Sequence, residues 1–128
     1  MKNFTGLNIH ALNQRAMMPM IMVETSIAAG ASNPNLYTGS AFEFARSRGV
    51  VSIGVAQSAT GMFCTLQAGA DIIAEEFSLP ILTRFPIIPD EMYFTDVVEQ
   101  GDRIVARVRN PTAGALTARS VVQMSAGG

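Results

Sequence analysis

Short apolar runs with the alternation expected of β-strands make up most of this chain, and turn residues separate them. In the second half, clusters of Gly, Pro, Asn, Asp and Ser interrupt these runs roughly every 8 to 12 residues. Strands of that length and spacing are typical of antiparallel sandwiches and barrels. The 128 residues therefore predict an all-β fold of one domain, a sandwich or barrel of about eight strands.

The first half of the chain carries the clearest strand and one helix signal. Residues 20–27 form an apolar run that a cluster of turn residues closes. Ser40 and Glu43 have the spacing of a helix capping box, and a glycine farther on stands where a helix would end, so a short helix is predicted here. Residues 49–61 and 62–67 are two further runs, which we expect to pair as a hairpin.

The C-terminal stretch GDRIVARVRNPTAGALTARSVVQM, residues 101–124, contains two alternating runs around a turn. It is predicted to be the hairpin that closes the sandwich, and alternation divides its side chains between two faces. The inner face would hold Ile104, Val108, Leu116 and Val122, and the outer face would hold Arg103, Arg107, Arg109 and Arg119 with valines between them. A mixed apolar and basic surface is less soluble than one built for water alone, which indicates a face that another surface covers.

Charge is segregated along the chain, although the formal net charge is only −1. Residues 71–102 contain eight acids and one base, whereas residues 103–128 contain four arginines and no acid. Arginine is favoured for partly desolvated pairing with carboxylates at interfaces. Two interpretations stay open: the arginines meet acids of residues 71–102 in another copy, or acidic and basic strands pair within one sheet. Nucleic acid is a less favoured partner, since the chain has no overall excess of positive charge.

The N-terminal segment, residues 1–19, is predicted to be an arm that precedes a sandwich domain of residues 20–128. Met17 and Met18 lie near its end, and Met20 follows at the start of the first strand. Methionine side chains adapt to irregular surfaces, so these three are candidate contacts with a neighbouring subunit. The segment makes a poor signal peptide, and no window reaches the roughly 18 apolar residues of a membrane span, so a soluble protein without membrane attachment is expected.

Residues that could carry catalysis are few. With one histidine, His10, and one cysteine, Cys64, a single subunit can assemble neither a His-based metal site nor a disulfide framework. Cys64 lies in an apolar run and is expected to be a small buried hydrophobe. Asp90 and Glu91 adjoin in a loop without the spacing of a calcium site; we expect a solvated acidic turn and a candidate contact at a subunit interface. No enzyme activity, metal or cofactor is predicted.

A family resemblance rests on several features taken together: few lysines, one cysteine, about eight predicted strands, an N-terminal arm and the terminal stretch GDRIVARVRNPTAGALTARSVV. Over about residues 50–124 the chain resembles the small jelly-roll or related β-sandwich structural proteins of virions, such as phage coat, vertex, decoration and fibre-base proteins. The resemblance implies self-assembly around symmetry axes, with neither cofactor nor active site. It also implies a place in the virion after assembly in the host cytoplasm, with copies of itself and other virion proteins as partners.

An alternative stays open beside this resemblance. The chain could be a monomeric β-sandwich binding module or adhesin, soluble in the cytoplasm, that recognises a glycan or a protein through loops near residues 30–40 or 84–92. Exposed aromatic platforms for sugars are scarce, since the chain has no tryptophan and two tyrosines. Large symmetric particles would distinguish a structural subunit from such a module.

Overall fold

Eight strands build the chain, and they form two four-stranded sheets. The computed structural model describes residues 20–88 and 93–126. The strands are β1 Met20–Ile27, β2 Ser32–Asn33, β3 Gly49–Gln57, β4 Phe63–Ala68, β5 Asp71–Ser78, β6 Phe94–Val98, β7 Ile104–Arg109 and β8 Leu116–Ala126. The first sheet has the order β1-β8-β3-β6 and the second sheet has the order β2-β7-β4-β5. This architecture confirms the prediction of an all-β sandwich.

The strand order is that of a jelly roll. Four of the antiparallel pairings, β1 with β8, β2 with β7, β3 with β6 and β4 with β5, are those of one long hairpin whose tip lies between β4 and β5. Rolling this hairpin brings β3 beside β8 and β4 beside β7. As a result, consecutive strands lie in opposite sheets everywhere except at the β4–β5 tip.

Both hairpins predicted from the sequence are wrong, because β3 and β4 lie in different sheets, as do β7 and β8. The turn between β7 and β8 is held away from a hairpin path by the buried side chain of Asn110. Its Nδ2 donates to the carbonyl of Ile27 at 2.9 Å and to that of Gly114 at 3.0 Å, while its Oδ1 accepts from the N–H of Thr112 at 3.0 Å. These bonds fix the turn against the end of β1, so the chain crosses from the second sheet to the first.

The helix predicted within residues 40–49 is also wrong, since this segment forms turns, an isolated bridge and the start of β3. Its backbone pairs with the approach to β7 instead. Ala45 N–H donates to the carbonyl of Asp102 at 2.8 Å, and Ile104 N–H donates to the carbonyl of Glu43 at 2.8 Å. These long-range bonds occupy groups that a helix would need, so tertiary pairing overrides the local capping signal.

The core lies between the two sheets and follows the predicted alternation. Ile104, Val108 and Val122 are fully buried, and Leu116 packs half-buried against them. Cys64 is buried within β4, as expected of a small hydrophobe, and this burial raises the pKa of its thiol to about 12. The sandwich interior therefore holds the residues that the sequence assigned to it, although the strands that carry them have other neighbours.

Candidate subunit interface

The four arginines predicted to form one surface lie on two opposite outer faces of the sandwich. Arg107 and Arg109 project from β7, and Arg103 immediately precedes that strand in the second sheet. Arg119 projects from β8, which belongs to the first sheet. Because β7 and β8 are not paired, the single arginine face expected from a closing hairpin does not exist.

Three of the four arginines have a carboxylate of their own chain within salt-bridge distance. The pairs are Arg103 with Glu43 at 3.1 Å, Arg109 with Glu76 at 2.6 Å and Arg119 with Glu24 at 2.9 Å. These three arginines thus pair with acids of their own chain, although only Glu76 belongs to residues 71–102 and only Glu24 and Arg119 lie on neighbouring strands of one sheet. Partly exposed pairs of this kind contribute roughly 0.2–1 kcal/mol each to folding.

The pair between Arg109 and Glu76 depends on a β-bulge that alternation does not predict. The register between β4 and β5 shifts next to Cys64, and Glu76 adopts a left-handed φ of 49°. The N–H of Glu76 donates to Thr65 Oγ1 at 3.2 Å, and the guanidinium of Arg109 lies 5.1 Å from the centre of the Phe63 ring. The bulge thus turns the Glu76 carboxylate toward β7 on the outer face of the second sheet.

Arg107 differs from the other three arginines. Its side chain is exposed on the same outer face, opposite Thr65 of β4. Among residues 20–88 and 93–126, no carboxylate lies within 4 Å of it. Within the described part of the chain, Arg107 thus differs from the other three predicted contact arginines in having no carboxylate partner.

Among the residues that the structure describes, β1 pairs with β8 on one side only, so it forms a free edge of the first sheet. Met20 and Met22 project outward from this strand with 46% and 54% of their surface exposed. The middle of the outer face of the first sheet is covered by the chain itself, where Pro86 packs on Gly54 of β3. Met20 is thus available for the contact predicted for it, whereas the candidates Met17, Met18, Asp90 and Glu91 lie outside the described residues.

An acidic cleft opens where β5 and β6, the edge strands of the two sheets, approach each other. It has a volume of about 540 Å³ and is lined by Ala70, Asp71, Ile72, Ile73, Thr95 and Asp96. The Oδ1 atom of Asp96 accepts from the N–H of Val97 at 2.9 Å. Its Oδ2 atom is buried and has no hydrogen-bond partner among the described residues. Asp96 therefore presents only part of its carboxylate to the cleft, because its Oδ2 atom is screened from solvent.

Within the described part of the chain, no group of three or more His, Cys, Asp or Glu side chains is arranged to hold a metal ion. The same residues include no helix with the length and apolar character needed to cross a membrane. A scan against models of protein families and searches of curated proteins and solved structures found no match to this chain.

Proposed function

We propose that this chain is a structural subunit that assembles with copies of itself, and that it works in a virus particle as a capsid or capsid-associated protein. The jelly-roll order of its strands supports the proposal, because viral capsid domains are among the proteins built on this fold. One fold serves many functions. The proposal therefore depends mainly on the surfaces that this sandwich leaves exposed.

The observation that carries the proposal is the free edge of β1. An edge strand presents unpaired backbone N–H and C=O groups, which another chain can use as a template. Proteins that stay monomeric commonly blunt such an edge with lysine, proline or a bulge. β1 has the sequence MIMVETSI, in which the one charged residue, Glu24, is paired with Arg119 of β8, and it pairs with β8 over eight consecutive residues without a shift of register. Such a long and regular edge is suited to bind a second copy.

The alternative, a monomeric binding module, finds less support in the loop near residues 30–40. Asn35 and Tyr37 in this loop are buried, and the Tyr37 hydroxyl is hydrogen-bonded to Ser120 in the core. A recognition loop usually presents such side chains to its ligand. The pairing of Arg103, Arg109 and Arg119 with acids of their own chain likewise leaves less positive charge for nucleic acid. Copies of the chain and other virion proteins remain the proposed partners.

Multi-angle light scattering of the purified chain tests the proposal. The wild type is expected to form discrete particles of several times the 13.6 kDa mass of one chain. Met22→Lys should shift the population toward monomer, since it places a charge beside the free edge. Ile81→Lys is the matched control, because Ile81 is equally exposed at 53% but lies beside Gln57 of β3, which β8 separates from β1. Monomers at every concentration would contradict the proposal and favour the binding module.

A further inference from the structure

We propose that β1 pairs antiparallel with β1 of a second copy around a two-fold axis through Val23, which joins the four-stranded first sheets of the two copies into one continuous sheet. This inference rests on the proposed function, because it names the contact that the free edge of β1 makes. The observation that carries it is a difference between β1 and the other three edge strands of the sandwich. Particles of more than two copies would use further surfaces in addition.

The three other edge strands that the structure describes each carry a feature that opposes pairing with another chain. β2 is only two residues long, Ser32–Asn33. β5 is bulged, since its register against β4 shifts in two places. β6 carries Asp96 on its inward side, opposite the buried Val51 of β3. Very short strands, bulges and inward-pointing charges are all means by which proteins keep a sheet edge from pairing.

β1 has none of these features. It spans eight residues, Met20–Ile27, and keeps its register with β8 throughout. Its inward side carries no charge, and its one carboxylate, Glu24, projects outward to Arg119. Among the described strands of a second copy, the edge open to β1 is therefore β1 itself. A contact between identical surfaces closes around a two-fold axis, and the two strands run antiparallel when that axis stands perpendicular to the sheet.

The alternation of β1 limits the register of this pair. Directly opposite residues share a face of the sheet, and a slip by one residue would exchange the faces, so the axis passes through a residue rather than between two. Because β1 spans Met20–Ile27, an axis through Val23 or through Glu24 gives the longest overlap. An axis through Glu24 would place two glutamates directly opposite each other, and like charges in that position are destabilising. The axis through Val23 is therefore favoured.

On the inward side, this register joins side chains that a single copy leaves half-buried. Val23 lies opposite the partner's Val23, and Ile21 lies opposite the partner's Thr25; all three positions are half-buried in one copy. Cross-strand pairs of β-branched residues stabilise a sheet. The pairing thus covers apolar surface as well as the unpaired backbone groups of the edge.

On the outward side, the one charge of β1 stays paired within its own copy. Met22 lies opposite the partner's Glu24, whose carboxylate the partner's Arg119 already balances at 2.9 Å. Met22→Lys would place two lysines about 7–8 Å apart across the axis, each beside a carboxylate that is already paired. This excess of positive charge is the reason that Met22→Lys should favour monomers.

Disulfide trapping tests the register with cysteines on the exposed side of β1. Met20→Cys mixed with Ser26→Cys is expected to give a linked dimer on oxidation, because directly opposite Cα atoms lie about 4.5–5.5 Å apart and a disulfide spans about 4.4–6.8 Å. Neither variant alone should give the dimer, since the two copies of its cysteine would lie about 20 Å apart along the strands. Cys64 is buried and should stay unlinked in every sample. Equal yields from one variant alone and from the mixture would overturn the register.

A second measurement uses the inward side of the same strand. Val23→Cys should link to itself, because position 23 lies on the two-fold axis. Thr25→Cys is the matched control: it is half-buried in the same way, but its two copies would lie about 13 Å apart and should not link. Equal linking of the two variants would overturn the pairing.

The same samples separate this pairing from the proposed function. If light scattering finds the wild type monomeric at every concentration, the proposed function and the pairing fail together. If the wild type assembles but either Val23→Cys or the mixture of Met20→Cys with Ser26→Cys stays unlinked, only the pairing fails.

Discussion

Replacing Asn35 with alanine should be among the most destabilising single changes outside the apolar core. Asn35 is 3% exposed and lies two residues after β2 ends. Its Nδ2 donates to the carbonyl of Ile104 at 3.0 Å, and its Oδ1 accepts from the N–H of Ala106 at 3.1 Å and from that of Tyr37 at 3.0 Å. The side chain thus continues, along β7, the hydrogen bonding that β2 begins.

The size of the effect follows from these three bonds. Asn35→Ala leaves one buried carbonyl and two buried N–H groups without hydrogen-bond partners, and each unsatisfied group costs about 1–3 kcal/mol. Partial relaxation toward other acceptors reduces the sum, so we expect a loss of about 3–5 kcal/mol. Asn33→Ala is the matched control: Asn33 Oδ1 accepts one half-buried bond, from the N–H of Asn35 at 3.0 Å. Its loss should cost about 1 kcal/mol.

Urea unfolding followed by circular dichroism measures both variants. The protein concentration is held constant, since assembly would stabilise the folded chain by mass action. The expected result is a lower midpoint for Asn35→Ala with an unchanged slope, and a much smaller shift for Asn33→Ala. Equal losses for the two variants, or a loss below about 1 kcal/mol for Asn35→Ala, would refute the role assigned to this side chain.

Two further predictions concern backbone conformation and pH. Gly69 and Gly30 have similar positive φ angles of 59° and 71°, but a Cβ at Gly69 would lie 2.8 Å from the Asp102 carboxyl carbon whereas one at Gly30 would contact nothing within 4 Å. To make room, the Asp102 carboxylate would have to move and lose the bond that it accepts from the N–H of Glu99 at 2.9 Å. Thermal unfolding should therefore show a loss of about 1–2 kcal/mol for Gly30→Ala and a larger loss for Gly69→Ala; equal losses would contradict the packing. Burial raises the pKa of the Cys64 thiol from 9.0 to about 12, so the stability gained by keeping it neutral is complete below pH 9 and is lost as pH rises toward 12. Urea unfolding between about pH 8 and 10 should show a shallower decline for Cys64→Ala than for the wild type, and parallel declines would count against this assignment.

The sequence was sufficient to place the longer strands and the inner faces of β7 and β8, but β2 lies in a stretch predicted to be a turn. The sequence also could not assign strands to sheets. Alternation identifies Ile104 and Val108 as inward residues whichever strand lies beside them. Neighbour strands depend on the path of the turns, and in a jelly roll most turns cross from one sheet to the other. The side chain of Asn110, which bonds to the end of β1, is what redirects the last turn. No local pattern in NPTAG distinguishes that path from a hairpin.

The candidate site was predictable in part, for similar reasons. Arg119 and Glu24 are 95 residues apart and meet only because β1 and β8 pair in one particular register. The sequence could indicate that the arginines pair with acids, but not whether those acids belong to the same copy of the chain or to another copy. Asp96 did leave a signal: in FTDVV, alternation places it on the inner side with Phe94 and Val98. A charged residue at an inward position was the sign of the acidic cleft.

Hydrogen–deuterium exchange across β1 tests self-assembly through the free edge of this strand most directly. Exchange is compared between a concentrated sample and one diluted until light scattering shows monomers. The account predicts that amides of Met20–Ile27 that face away from β8 become protected in the concentrated sample, while those already bonded to β8 change little. Assembled particles whose outward β1 amides exchange as fast as those of the monomer would contradict it.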